Sequence, residues 1–398
     1  MSLNRTASSA VNAAKSSRGL IQQTKQYRPM KKTIEKEQLL RSMNDIYSCF
    51  HGYARNLNAP TPKYFADVLH QRESSDSELN VVLPLSTDPV LRQQMINERG
   101  HVRVGRLLEH MDIVAPCCGY MLNRADVNDI QFQTGSLPRM LVTSRIHSMD
   151  VRKCSSIDMT QDISLHGKVT WTGMFSTEVT VSVHQHGDCK LEGQFVFISL
   201  DAKNPRKKYA VNQLIPTNDL EEQTIEMRQR QYLEPRVPPT PTVLEQPLIK
   251  ENQVKMSSTR VEHTMVVQPE NENPYGTTFG GFLLRQGLET AEACARLFAK
   301  GPVKLSSVDD SQFINIVDIG SIIRFSSVVS DVVPGKIQVF SLAEVFDQAL
   351  QKFKPCDKFY FSFDAQTEKL PEVIPCNVQE YIAQKTSRES RKLGLSRQ

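Results

Sequence analysis

Apolar and polar residues alternate along this chain with two different periods, and the two periods occur in the same order twice. A short apolar run predicts a strand at Asn80–Leu85; a helical period follows, in a segment that Gly105 opens and that runs through Leu122. Strand alternation returns in Leu141–Met149, Asp162–Trp171, Ser176–Gln185 and Leu191–Leu200, each rich in β-branched or aromatic residues and set off by Gly, Asp or Asn. The second half starts with a strand at Thr259–Val267 and a helix from Phe279 to about Lys300, again led by glycine. Strands at Lys304–Asp309, Ser321–Val329, Lys336–Phe346 and Lys358–Asp364 complete it, with Val333-Pro-Gly-Lys as a hairpin turn. Identity between the halves is faint, but the repeated order predicts a duplicated α+β unit, one long helix per antiparallel sheet.

At 398 residues, 39% hydrophobic and 23% charged, the chain is long enough for two domains with cores of their own. We expect the first domain at residues 78–210, a linker at 211–255, the second domain at 256–375 and a polar, mostly basic tail at 376–398 that frays after Tyr381. Within the linker, an acid-rich helix at Asp219–Gln231 precedes Pro235, Pro238, Pro239 and Pro241, a stiff extended stretch. No run of about 18 apolar residues occurs, so no membrane span is expected.

The formal charge of +4 resides in the first 34 residues, which carry Arg5, Lys15, Arg18, Lys25, Arg28, Lys31 and Lys32 and no acid. The remainder is slightly acidic and leaves no basic face for a nucleic acid. Residues 1–34, basic and rich in Ser, Ala and Thr, have the composition of a mitochondrial transit peptide. Eight scattered cysteines without paired metal spacing point to reduced thiols, with adjacent Cys117 and Cys118 as buried small hydrophobes.

Candidate chemistry concentrates at Asn273-Pro-Tyr-Gly-Thr-Thr-Phe-Gly-Gly-Phe-Leu-Leu-Arg285. Gly280 and Gly281 let a ligand approach the backbone closely, and the free N–H groups of the following helical turn suit an oxyanion. Gly-x-Ser-x-Gly is absent, as are Walker and dinucleotide glycine patterns, so a serine elbow and a nucleotide cofactor are not expected. His184 and His186 alternate on a predicted strand and share a face, but no third metal ligand is near in sequence, and Asp309 and Asp310 are read as satisfying strand and loop donors.

Two families of motifs, Arg103-Val-Gly-Arg-Leu-Leu-Glu-His-Met-Asp112 and His166-Gly-Lys-Val-Thr-Trp-Thr-Gly173 in the first half, and Asn273 to Arg285, Val308-Asp-Asp-Ser-Gln-Phe313 and Asp318-Ile-Gly-Ser-Ile-Ile-Arg-Phe-Ser-Ser327 in the second, resemble the double hotdog acyl-CoA thioesterases, in particular their mitochondrial branch. The resemblance spans roughly residues 80 to 370. It implies two hotdog domains whose sheets pair, a fatty acyl-CoA substrate, CoA as product, no cofactor or metal, and assembly into homo-oligomers such as trimers of double hotdogs. It also implies a site built from a helical acid of one hotdog and an Asn plus helix N-terminus of the other.

Asp112 lies seven residues after Gly105, close to two turns and so on the same helical face, where that resemblance calls for a catalytic carboxylate. Glu289 lies eight after Gly281, rotated about 100° from that face, and is a secondary candidate. Asn273 matches the implied Asn, whereas the first half presents only Glu98-Arg-Gly-His-Val-Arg-Val104 before Gly105. One composite site is therefore expected, from Asp112, Asn273, Gly280 and Gly281, with a degenerate mirror image. Asp112 acts there as base on water or as nucleophile. Pro116 removes the N–H that would bond the Asp112 carbonyl and predicts a kink. Competing functions are a non-catalytic acyl-CoA sensor and an enoyl-thioester hydratase, the latter lacking a His beside Asn273.

Overall fold

A computed structural model describes residues 40–42, 69–123, 139–233, 248–367 and 369–395. The expected transit peptide, the prolines at 235–241 and the last three residues lie outside them. The strands are β1 (Leu40–Ser42), β2 (Gln71–Glu73), β3 (Leu79–Leu83), β4 (Arg139–Ile146), β5 (Met149–Asp150), β6 (Ile163–Thr172), β7 (Ser176–Gln185), β8 (Asp188–Asp201) and β9 (Gln213–Ile215) in the first half. In the second they are β10 (Gln253–Lys255), β11 (Val261–Val266), β12 (Val303–Val308), β13 (Ser311–Phe313), β14 (Ile322–Val333), β15 (Lys336–Asp347), β16 (Lys352–Ala365) and β17 (Glu372–Ile374). Helices are α1 (Pro89–Met95), α2 (Val104–Leu122), α3 (Asp219–Leu233), α4 (Gly280–Ala299) and α5 (Val378–Leu395).

The strand order β3-β6-β7-β8-β4 continues, through the pairing of β4 with β13, into β16-β15-β14-β11, and β12 joins β16 to β5. Each half is thus an antiparallel sheet wrapped around one long helix, α2 or α4, which is the tandem hotdog architecture. The helices are buried almost all round because each is covered by its own sheet and by the other helix. Inward strand positions carry the core, among them Val181, Val183, Phe195 and Phe197 in the first half and Val339, Phe359, Phe361 and Phe363 in the second.

The duplication reaches further than the sheets. In both halves a short strand leads into a 3₁₀ turn, Ser74–Ser77 or Met256–Thr259, and pairs in parallel with a late strand (β2 with β9, β10 with β17) that is followed by an outer helix. Within residues 211–255, β9 and α3 are packed on the first half: Arg228 Nε donates to Glu178 at 2.9 Å, and Tyr232 stacks on Trp171. The tail beyond Tyr381 does not fray at once. It forms α5, the counterpart of α3, where Arg388 Nε donates to Asp331 at 2.9 Å and the Ser387 and Ser330 hydroxyls are 2.7 Å apart. A polar composition concealed this docking, because α5 needs only one side to cover the sheet.

Two hairpins show how local chemistry fixes register. Pro334-Gly335 joins β14 to β15 with Gly335 at φ 71°, as expected for that turn. His186-Gly187 joins β7 to β8, both residues having positive φ, 55° and 82°. His186 is therefore a turn residue and shares no strand face with His184, whose Nε2 lies 2.9 Å from Ser182 Oγ. The alternation of the sequence runs one residue past the end of the strand at Gln185.

Candidate active site

The N-termini and central parts of α2 and α4 meet where glycines allow it. A Cβ placed on Gly281 would stand 2.9 Å from both Asp112 Cβ and Glu109 Cα, and one on Gly280 would stand 3.0 Å from Thr143 Oγ1. Close approach brings Asp112, buried, against the start of α4: Gly281 N–H donates to Asp112 Oδ2 at 2.6 Å, and Thr143 Oγ1 donates to Oδ1 at 3.1 Å. Burial pushes the Asp112 carboxyl up to about 6, opposed by the Gly281 amide and the Thr143 hydroxyl, with a smaller upward push from Glu109.

Asp112 opens on a cleft between the halves that Pro116 and Tyr120 line at four-residue steps along α2. Helix α2 continues through Pro116, and the proline ring forms wall. Tyr120 Oη is 2.7 Å from Tyr275 Oη and accepts the Leu141 N–H at 2.9 Å, tying α2 to the loop before α4. Asn273 lies on that loop and lines the cleft. Its Oδ1 accepts the N–H groups of Tyr275 and Thr277 at 2.9 and 3.2 Å, and its Nδ2 donates to Thr277 Oγ1 at 2.7 Å, so one amide hydrogen is left over.

The first half contains the same loop, with an Asn where the sequence led us to expect none. Asn97 Oδ1 accepts Arg99 and His101 N–H groups, both at 3.0 Å, and Gly100 (φ 78°) answers to Gly276 (φ 80°). Asn97 precedes Gly105 by the same eight residues that separate Asn273 from Gly281. The equivalent Asn stands one residue before Glu98, just outside the segment Glu98–Val104. An Asn three before a left-handed glycine is thus a turn requirement in both halves.

What differs between the halves emerges from the strand registers. Thr143 pairs with Phe197 beside a bulge as Leu305 pairs with Phe363 beside a bulge, so Thr143 and Leu305 correspond. Val183 pairs with Leu191, and Ala343 with Asp357, each at the same kind of irregularity, so Leu191 and Asp357 correspond. Seven residues beyond Gly281 stands Leu288, the counterpart of Asp112. The contacts agree: a Cβ on Gly105 would meet Arg285 and Leu288, as one on Gly281 meets Glu109 and Asp112. Three polar residues of the cleft, Asp112, Thr143 and Asp357, are therefore leucines in its mirror image.

Glu289 is engaged elsewhere. Arg103 Nη2 lies 2.6 Å and Arg285 Nη1 3.6 Å from its carboxylate, so its side chain is committed to ion pairs beside Leu288. Thr143, Tyr120, Tyr275 and Asp357 were missed by sequence reasoning. Tyr120 and Tyr275 stood in segments already singled out, the one in the helix that carries Asp112 and the other two residues after Asn273; Thr143 and Asp357 are brought in by tertiary pairing alone.

No protein-family model matches the chain. Acyl-coenzyme A thioesterase 9, mitochondrial, of Mus musculus is 28% identical over 340 residues, which cover 77% of this chain and 75% of that protein. The protein of the same name from Homo sapiens is 29% identical over 342 residues, covering 78% and 75%. Over about three quarters of its length the chain is similar to acyl-CoA thioesterases of the acyl-CoA thioesterase 9 type. Among solved structures, an acyl-CoA hydrolase from Staphylococcus aureus in complex with butyryl coenzyme A, coenzyme A and coenzyme A disulfide is 23% identical, with a TM-score of 0.35, covering 36% of this chain and 92% of that one. The two halves lie in one chain, and one of the two equivalent places carries Asp112, Thr143 and Asp357 where the other carries leucines.

Proposed function

We propose that the protein hydrolyses acyl-CoA thioesters to a fatty acid and CoA at the composite cleft, with Asp112 as general base. The observation that carries this reading is a buried carboxylate held by Gly281 N–H and Thr143 Oγ1 at the mouth of α4, in a cleft whose mirror image has leucine at both side-chain positions. Each carboxylate oxygen keeps a lone pair for water, and a carboxyl near 6 is ionised at neutral pH yet basic enough to take a proton.

Gly281 N–H is occupied by the acid, so the role of holding the thioester oxygen falls to Gly280 N–H, a first-turn amide without an intrahelical acceptor, and to the remaining Asn273 amide hydrogen. Water attacks the carbonyl carbon as Asp112 takes its proton, and the oxyanion is held by those donors. Collapse breaks the C–S bond and returns the proton to the CoA sulfur. Among the described residues no histidine lines the cleft, which favours hydrolysis over hydration of an enoyl thioester.

Placement in the mitochondrial matrix is part of the proposal, supported by the basic, acid-free composition of residues 1–34 and by the names of the relatives. So is assembly into trimers of double hotdogs, which the mass of the native protein tests. The activity is tested by thiol release from a panel of acyl-CoAs by the full chain and by Asp112→Asn. Equal turnover by a folded Asp112→Asn protein would refute the assignment.

A further inference from the structure

Asp357 is the acid that hydrolysis does not use. It sits on β16 in the inward row Asp357, Phe359, Phe361, Phe363, where three of the four side chains are phenylalanine rings packed in the core. Asp357 is 0% exposed, and neither of its carboxylate oxygens has a hydrogen-bond partner among the described residues. Its surroundings offer little: Cys356 Sγ is a weak donor, and the nearby Ile314 N–H is given to the Cys356 carbonyl at 2.8 Å. Burial pushes the carboxyl up to about 7.

The fold does not require an acid at this position. Leu191, its counterpart in the first half, occupies the same register beside the same irregularity and is buried in the core. The neighbouring pair shows that such positions are tuned to each other: Gly193 faces Met111, whereas the corresponding Phe359 faces Gly287, large and small exchanged. Asp357 lines the cleft that holds Asp112, together with Phe313, Leu283 and Phe279. A buried, unpaired acid is costly to the fold, and here it stands in an otherwise largely apolar wall opposite the catalytic acid's helix.

We infer that Asp357 is a specificity residue that receives a hydroxyl carried on the acyl chain, so that the favoured substrates are hydroxyacyl-CoAs rather than plain fatty acyl-CoAs. This rests on the hydrolase reading for its chemistry but not for its binding. A plain chain leaves the acid buried and unpaired; a chain with an oxygen in reach satisfies it, and sites built to bond a substrate oxygen reject the analogue lacking it strongly. The preference expected is about 10- to 100-fold.

The test compares each straight-chain acyl-CoA with hydroxyacyl-CoAs of the same length, the hydroxyl moved along the chain. It uses kcat/KM for the full-length protein, Asp357→Asn and Asp357→Leu, and calorimetric binding in the Asp112→Asn background. Wild type should favour at least one hydroxyacyl isomer in both readouts. Asp357→Asn, which still bonds an oxygen, should keep part of the preference; Asp357→Leu should lose it, gain on the plain chain, and melt at a higher temperature, since leucine is what the mirror position holds. Preference in binding without any turnover would uphold the inference while removing the hydrolase reading. Equal treatment of plain and hydroxylated chains by wild type, a preference that survives Asp357→Leu, or a stronger preference for an amine-bearing acyl-CoA would overturn it.

Discussion

Glu109 and Arg285 hold each other across the crossing of the two central helices, with Arg285 Nε 3.0 Å from Glu109 Oε2. Each is the fourth residue after the glycine of its helix, so the two are counterparts. Counterparts that touch must lie on the local twofold axis that relates the halves. The symmetry is thus broken at its own axis, acid on one side and base on the other, and the break propagates outward: Asp112 and its hydrogen bond on one flank, Leu288 and the Arg103–Glu289 ion pair on the other.

Replacement of Asp112 by Asn keeps an oxygen for the Gly281 N–H and removes the proton acceptor. We expect native circular dichroism and a fall in kcat of about 10²- to 10⁴-fold, the range for a lost general base. A loss that tracks unfolding instead would assign Asp112 to structure.

Activity should depend on pH through Asp112. The base form is needed, so kcat/KM should rise tenfold per unit below about 6 and level off above it, a profile measured with thiol release from pH 5 to 8. Stability has the opposite sign. Asp112 and Asp309 are raised to about 6 and Asp357 to about 7, so between the ordinary carboxylate range near 4 and about 7 the native state binds more protons than the unfolded chain. Their contribution is fullest below that window and is lost as pH rises through it. Urea unfolding of Asp357→Leu should show this downward slope reduced.

The two helix-opening glycines should tolerate alanine unequally. A Cβ at Gly281 meets the backbone of Glu109 at 2.9 Å, which only a shift of one helix relieves, whereas at Gly105 it meets Arg285 Cγ at 3.0 Å, a flexible side chain. Gly281→Ala should cost about 1–3 kcal/mol by the overpacking range and abolish most turnover. Gly105→Ala should cost less and leave kcat nearly intact, as thermal melts and initial rates will show.

Glu289 tests the other flank. Glu289→Gln loosens Arg103 and Arg285, two partly exposed or shared ion-pair partners, and should change stability by no more than about 1 kcal/mol with kcat/KM unaffected. A large loss of turnover would mean that the second site is active.

Much of this protein could be read from alternation alone. Both long helices, the hairpin at Pro334-Gly335 and the sheet strands follow from local periodicity and turn chemistry, since burial of one face dictates where apolar residues recur. Asp112, Gly280 and Gly281 were legible too, because helical phase is a local property. Thr143, Asp357 and the identity of Asn97 with Asn273 were not. They depend on which strand pairs with which, and on bulges that shift register by one residue, and nothing local in the sequence marks either. Only the closed sheets reveal that three cleft residues answer to three leucines, and hence that two equivalent places of the fold differ in polarity.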